Sequence, residues 1–365
     1  MKVGIFTFHC ADNYGAVLQT YGLQEYLKRL GHEVYVIDYC PDFLIRPTRL
    51  FRFDTLPNAG FLSRLLGIFR ECTVIPIRYY RHFLFKKFRR KRLNLMALDL
   101  DNPDNGFDAF VFGSDQIWNI EMTEGYNDVY WGNVKAVKGK RNVAYAASAG
   151  YVDSLKDSEE ILNLLTNFSS VGVREMSLSK FLNGKFPQLP VTVCLDPVLL
   201  AGREVFDSIA EDIKVHQPYM LLFQLSHNEQ LFQDTQRLAE KGNLEIIEIT
   251  SYTESLKNKH MLNCVSPEEM IAYVQSAEYV ITNSFHGAVF SILYRKDFNV
   301  VCSNSYVAER ISNLLEALGL ENRLCENVHA LDAVDYSEMG SKYGALLSNS
   351  QSYLSNALTN LISKG

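Results

Sequence analysis

Along the chain, short apolar runs alternate with stretches in which apolar residues recur every three or four positions, the pattern of alternating strands and helices. Residues 2–8 (KVGIFTF) read as a strand, and a polar loop from His9 to Gly15 follows it. Val17, Leu18, Tyr21, Leu23, Leu27 and Leu30 then recur at helical spacing, Gly31 is placed to end that helix, and 33–38 reads as the next strand. Further buried-strand runs fall at 108–113, 142–148, 169–173 and 191–195. After Pro197 the alternation restarts, with strands at 219–225, 244–250, 279–283 and 298–302. Ser266-Pro267-Glu268-Glu269 has the form of a capping box with proline in the first turn, which predicts a helix start. The expected organisation is an α/β unit over 1–200, carrying a basic insertion at 60–95, and a second unit over 201–335. A terminal segment, 336–365, holds a last helix over 343–362.

Two such sheets in series bind ligands at loops leaving the carboxyl ends of their strands. No G-x-G-x-x-G or Walker-type glycine loop follows any strand, no H-E-x-x-H or other metal-ligand cluster occurs, and no G-x-S-x-G elbow is present. What stands at the strand ends is polar. Gly113-Ser114-Asp115-Gln116-Ile117-Trp118-Asn119 offers donors, acceptors and an aromatic face, the combination sugars need; the alternative is a capped turn with a core tryptophan. Ser284-Phe285-His286-Gly287 follows a strand and opens a helix, where free amides and the dipole favour anions and an imidazole can pass a proton. Arg174 ends a third strand; its planar fork suits a phosphate or carboxylate, or a local ion pair with Glu175. Arg310 opens a later helix, where a solvated face is the competing reading. Asp196-Pro197 reads as a turn at the seam between units.

Composition narrows the class. The 365 residues are 47% hydrophobic and 21% charged, enough for a large core and against disorder. A net charge of −6 argues against a nucleic-acid binder, so no nucleic-acid partner is expected. Seven scattered cysteines without a C-x-x-C pair point to a reducing compartment. The first apolar run, 3–8, is too short for a signal peptide, and no apolar stretch reaches membrane-spanning length, so a cytoplasmic location is expected. The charge is unevenly spread. Residues 64–92 carry ten cations (Arg64, Arg70, Arg78, Arg81, Lys86, Lys87, Arg89, Arg90, Lys91 and Arg92) against Glu71 alone, leaving −15 for the rest. Interleaved aromatics make this stretch a solvated helix face or a peripheral contact with anionic lipid at the inner membrane face; RNA binding lacks an accompanying module.

Several of these segments, taken in order, resemble the polysaccharide pyruvyl transferase family. The resemblance rests on Asn13-Tyr14-Gly15-Ala16 with Leu18-Gln19, on the Gly113–Asn119 segment, and on Val173-Arg174-Glu175. It continues through Leu195-Asp196-Pro197, Asn283-Ser284-Phe285-His286-Gly287 and the helix beginning at Arg310-Ile311. It implies an α/β fold of two Rossmann-like domains facing a cleft, similar to the glycosyltransferase-B architecture. It also implies transfer of the carboxyethylidene group of phosphoenolpyruvate onto two hydroxyls of one sugar, forming a ketal in cell-surface polysaccharide synthesis. Phosphoenolpyruvate is then a co-substrate, with no further cofactor and no metal, and the partner is a glycan acceptor, free or lipid-linked. Carried over residue by residue, His286 is the acid and Asp115 the base or hydroxyl orienter. Arg174, Ser284, Gly287 and Arg310 hold the donor; Asn13, Gly15, Gln19, Ser114, Gln116, Trp118 and Asn119 line the acceptor side. One departure stands out: some members place an arginine where this chain has Ser284. Either another cation takes that role or the donor differs. The competing functions are a nucleotide-sugar glycosyltransferase of the same fold and a non-catalytic sugar- or anion-binding protein.

Overall fold

The computed structural model describes residues 1–50, 61–155, 159–251, 261–262, 264–302, 305–328 and 332–359. Its first sheet contains β1 (Lys2–Phe6), β2 (Glu33–Ile37), β3 (Leu95–Met96), β4 (Ala109–Phe112), β5 (Arg141–Ala147), β6 (Ser170–Val173) and β7 (Val191–Val193). The second contains β8 (Tyr219–Gln224), β9 (Glu245–Thr250), β10 (Met261–Leu262), β11 (Tyr279–Thr282), β12 (Asp297–Val301) and β13 (Leu324–Cys325). Every pairing is parallel, in the orders β3-β2-β1-β4-β5-β6-β7 and β10-β9-β8-β11-β12-β13. Parallel strands need helical crossovers, which cover both faces of the sheet and make its central strands apolar throughout. β4 and β11 are accordingly buried at all four positions.

Each sheet reverses its winding once, between β1 and β4 in the first and between β8 and β11 in the second. Neighbouring crossovers leave such a point in opposite directions, opening a crevice at the carboxyl ends of the strands. Between the two sheets one apolar core runs unbroken, from Val3, Val36 and Val143 to Leu221, Val280 and Val300. The helix Tyr14–Arg29 is its spine and packs closely on Pro197–Ala201. Gly22 permits that approach, since a Cβ there would lie 2.8 Å from the Pro197 carbonyl oxygen.

Helix signals read from the sequence are realised in detail. Asn13 caps Tyr14–Arg29 by accepting from the Ala16 amide, Gly31 takes the left-handed conformation (φ 84°), and Ser266 with Glu269 closes both arms of the capping box. The edge strands β3, β10 and β13 escape sequence reading because two residues carry no period. The last helix runs from Met339 to Thr359, four residues earlier than its expected start; 360–362 of the expected range lie outside the described residues. It crosses back to the first sheet: Tyr353 donates to the Ala144 carbonyl (2.7 Å), and Arg141 donates to that of Leu358. No helix among the described residues is long and apolar enough to cross a membrane.

The basic stretch forms one helix, Phe61–Arg92, and is not uniformly solvated as one reading of it expects. Arg81 is buried and donates to the Tyr14 hydroxyl (3.1 Å) and to the carbonyls of Thr250 and Ser251 (3.1 and 2.8 Å), joining the two units. Arg89 pairs with buried Asp12 at 2.8 Å, and Arg92 with Glu268 at 3.2 Å. Much of this positive charge is therefore internal, neutralising carboxylates and carbonyls that burial would otherwise leave uncompensated.

Candidate functional site

Both winding reversals contribute to one pocket, of about 190 Å³. From the first sheet come Phe8, Ala11 and Asn13 after β1, and Asp115 and Gln116 after β4. From the second come Leu225 after β8, Ser284, Phe285 and His286 after β11, and Arg310. Phe43, Leu44, Pro47 and Met122 form an apolar rim that no sequence motif marked.

His286 lies in the first turn of the helix Phe285–Leu293, behind Ser284, whose side chain makes no capping bond. The imidazole is only 11% exposed and is held from two directions. Nε2 faces Asp196 Oδ2 at 3.6 Å and has no closer partner. Nδ1 lies against Gly15, where a Cβ would come within 1.9 Å of it. Asp196, fully buried, also receives the Val198 amide (3.0 Å) and an Arg174 Nη1 donor (3.2 Å). Burial alone would raise its pKa. The facing imidazole, the Arg174 guanidinium and the Val198 N–H outweigh that and lower it, so the carboxylate stays ionised beside the ring.

Arg174 and Arg310 differ in their freedom. Arg174 is buried, with Nε on Glu175 and Nη1 on Asp196, both at 3.2 Å, while Nη2 has no partner. Its two carboxylates already neutralise it, as the ion-pair reading expects, and it lies behind the pocket lining. Arg310 lines the pocket and makes no hydrogen bond or ion pair with any described residue. Burial and the nearby Arg174 charge push its pKa down to about 10, still protonated at neutral pH. Both guanidiniums lie over the Phe285 ring, at 4.3 and 5.9 Å from its centroid. An uncapped helix N-terminus, an unpaired arginine and a charge-backed imidazole therefore converge on one space, which favours an anion.

Across that space stands Asp115, in the left-handed conformation (φ 75°) rare for a non-glycine residue. Ser114 Oγ accepts from its amide, and its own Oδ1 accepts from the Gln116 amide (2.9 Å).

A family model described as polysaccharide pyruvyl transferase matches residues 13–306, a span that holds Asn13, Asp115, Gln116, Ser284 and His286 of the pocket and ends before Arg310. The chain belongs to the polysaccharide pyruvyl transferase family. Its two parallel α/β units face each other across the pocket, the architecture expected from the glycosyltransferase-B likeness. No curated protein matches it. Among solved structures it is similar to the S. aureus MnaA–UDP co-structure (12% identity, 97% of this chain and 92% of that one, TM-score 0.47). It is also similar to Neisseria meningitidis UDP-GlcNAc 2-epimerase bound to UDP-GlcNAc (10%, 99% and 95%, 0.43) and Arabidopsis thaliana UGT89C1 (10%, 98% and 95%, 0.42).

Among the residues expected at the site from the sequence, the structure separates those that line the pocket from those that build its walls. Asn13, Asp115, Gln116, Ser284, His286 and Arg310 line the pocket. Trp118 does not: it is fully buried, stacked on Trp131 (centroids 4.8 Å apart) and donating to the Tyr130 carbonyl, so it offers no face to a sugar. Gln19 is likewise internal, its Nε2 donating to Thr7 Oγ1, the Ala16 carbonyl and Thr20 Oγ1. Gly287 touches Thr282 and Phe223 rather than open space; a Cβ would meet Thr282 Oγ1 at 2.1 Å. Ser114 is buried, and its carbonyl accepts from Thr7. Asn119 is 8% exposed, receiving the Glu121 and Met122 amides and donating to Gln116 Oε1. Gly15 belongs to the site as the gap that admits His286. Sequence reasoning missed Asp196, taken as a seam turn, and Phe285, the platform shared by both arginines; neither residue type announces such a role alone.

A second polar cluster, His9, Asp38 and Cys40, lies at the ends of β1 and β2. His9 Nδ1 faces the Thr7 carbonyl (3.2 Å), which can only accept, and Nε2 faces Asp38 (3.1 Å). Burial would lower the pKa of this ring, but Asp38, Cys40 and the Thr7 carbonyl together raise it to about 9.

Proposed function

We propose that this protein transfers the pyruvyl group of phosphoenolpyruvate to two hydroxyls of a sugar, releasing phosphate. The observation that carries the reading is the convergence in one pocket of Arg310, His286 and Asp115, brought there by the winding reversals of two sheets. Arg310 and the Phe285–Leu293 helix N-terminus hold the donor's carboxylate and phosphate. Arg310 thereby supplies the cation that Ser284 does not, while Arg174 is engaged by Glu175 and Asp196.

With Nε2 turned to Asp196, His286 delivers the proton from Nδ1 to the methylene carbon of the enol. A methyl group forms and positive charge develops on the adjacent carbon. Asp196 supports the cationic ring before the transfer. The first sugar hydroxyl adds to that carbon, with Asp115 accepting its proton. Cleavage of the carbon–oxygen bond releases phosphate, and the second hydroxyl closes the ketal. One hydroxyl proton is thus balanced by that given to the methyl group, and the other leaves with phosphate. General acid catalysis contributes about 10²–10⁴-fold, so His286→Asn lowers turnover by at least that order while donor binding persists. The deciding assay is phosphate release from phosphoenolpyruvate across a panel of free and lipid-linked glycans. Turnover of a nucleotide sugar with no phosphoenolpyruvate turnover refutes the assignment in favour of glycosyl transfer, and full activity of His286→Asn removes the acid role.

A further inference from the structure

The helix Phe61–Arg92 divides its residues sharply between two faces. At about 100° per residue, Val74, Arg78, Arg81, Phe85, Phe88, Arg89 and Arg92 fall on one side, buried or paired against the body. On the other side lie Ile68, Phe69, Tyr79, Tyr80 and Phe83, half of the large hydrophobics exposed among the described residues; Phe69 is 70% and Tyr79 61% exposed. The same outward face continues into Lys86, Lys87, Arg90 and Lys91, all exposed. From Cys72 to Arg92 the helix holds no carboxylate.

We infer that this face docks on an anionic phospholipid bilayer, with the aromatic rings at the headgroup boundary and the four terminal cations on lipid phosphates. The charge pattern selects this occupant. A second copy presenting the same face brings four more cations and no acid from this segment to meet them, whereas an anionic surface neutralises all four. Aromatic and basic side chains on one face of a helix are what an interfacial helix requires. Phe85 and Phe88 pack into the core, which sets the side of the helix that faces outward. His82 and Arg89 on this helix both hold Asp12, at 2.7 and 2.8 Å, beside the pocket residue Asn13. A bilayer here would lie on the element that positions the pocket loop. The inference does not depend on the donor chemistry.

The test is sedimentation of the full chain with vesicles of phosphatidylcholine alone, or with phosphatidylglycerol added, at low and high salt. The native protein pellets only with the anionic vesicles and is released by salt. Each cation near such a surface is worth roughly fivefold in partition, so changing Lys86, Lys87, Arg90 and Lys91 to glutamine lowers binding on the order of 10³-fold. Tyr80→Ser with Phe83→Ser weakens it without changing its salt dependence. Both variants should melt as the native chain does; if either fails to fold, the native contrast between neutral and anionic vesicles at two salt concentrations decides alone. Absence of vesicle binding, or binding indifferent to salt and lipid charge, overturns the inference. So does a concentration-dependent dimer dispersed by the Tyr80 and Phe83 changes, or capture on RNA, when found without vesicle binding.

Discussion

Replacing Gly15 by alanine places one methyl group where His286 now lies. The added carbon would be 1.9 Å from Nδ1, against about 3.4 Å for ordinary contact, so the ring must retreat by about 1.5 Å or the two units must part. Retreat is blocked by Asp196 at 3.6 Å on the opposite nitrogen and by burial of the imidazole. Overpacking of this kind destabilises by about 1–3 kcal/mol. Misplacing a reacting group by about 1 Å costs on the order of 10²-fold in rate. Gly22→Ala is the matched control, two turns further along the same helix and pressed on the Pro197 carbonyl at 2.8 Å, away from any pocket residue. Both variants should melt a few degrees lower, with Gly22→Ala partly compensated by the better helix propensity of alanine. Only Gly15→Ala should lose phosphate release, by about 10²-fold or more per folded molecule. Native activity and melting temperature in Gly15→Ala would refute the packing described here. Equal activity losses in the two variants would assign the effect to general destabilisation instead of ring displacement.

Three further expectations follow from the charges. Arg310→Lys keeps the charge but loses the planar fork, so donor affinity measured by calorimetry should fall about tenfold if the guanidinium grips an anion directly; an unchanged dissociation constant for phosphoenolpyruvate would exclude that contact. Arg174→Lys should act chiefly on folding, because Arg174 bridges Glu175 and Asp196; a lower melting temperature with donor affinity retained is the expected pair of results. His9 has a folded pKa of about 9, above its ordinary 6.5, so its protonated ring stabilises the fold fully below pH ~6.5 and loses that contribution as pH rises through about 9. With Asp38 half exposed, the effect is on the order of 1–3 kcal/mol, and denaturant titrations of His9→Gln should show a flatter decline of stability between those two pH values.

Much of the architecture was legible from the chain because it depends on local pattern. Central strands of a parallel sheet are buried on both faces and read as apolar runs; helix ends read from Asn13, Gly31 and Ser266, whose backbone and side-chain chemistry acts within a few residues. The pocket motifs at Asp115 and His286 were legible for the same reason, as polar groups placed just beyond a strand. What the tertiary structure alone decided is which of those groups face each other. Gly15 and His286 are 271 positions apart, and their contact depends on how two sheets pack over a shared core. Asp196 looked like a turn residue until Arg174 and His286 were brought to either side of it. Trp118 looked like a sugar platform until Trp131 covered it. The cations of 64–92 read as one charged stretch, yet helix rotation sends Arg81 and Arg89 inward and Lys87 and Arg90 outward, and only the packed body defines which side is inward. Local pattern sets the elements because their hydrogen bonds close within or beside them. Burial, ion pairing and the composition of a cleft depend on residues distant in sequence, and those meet only when the whole chain has folded.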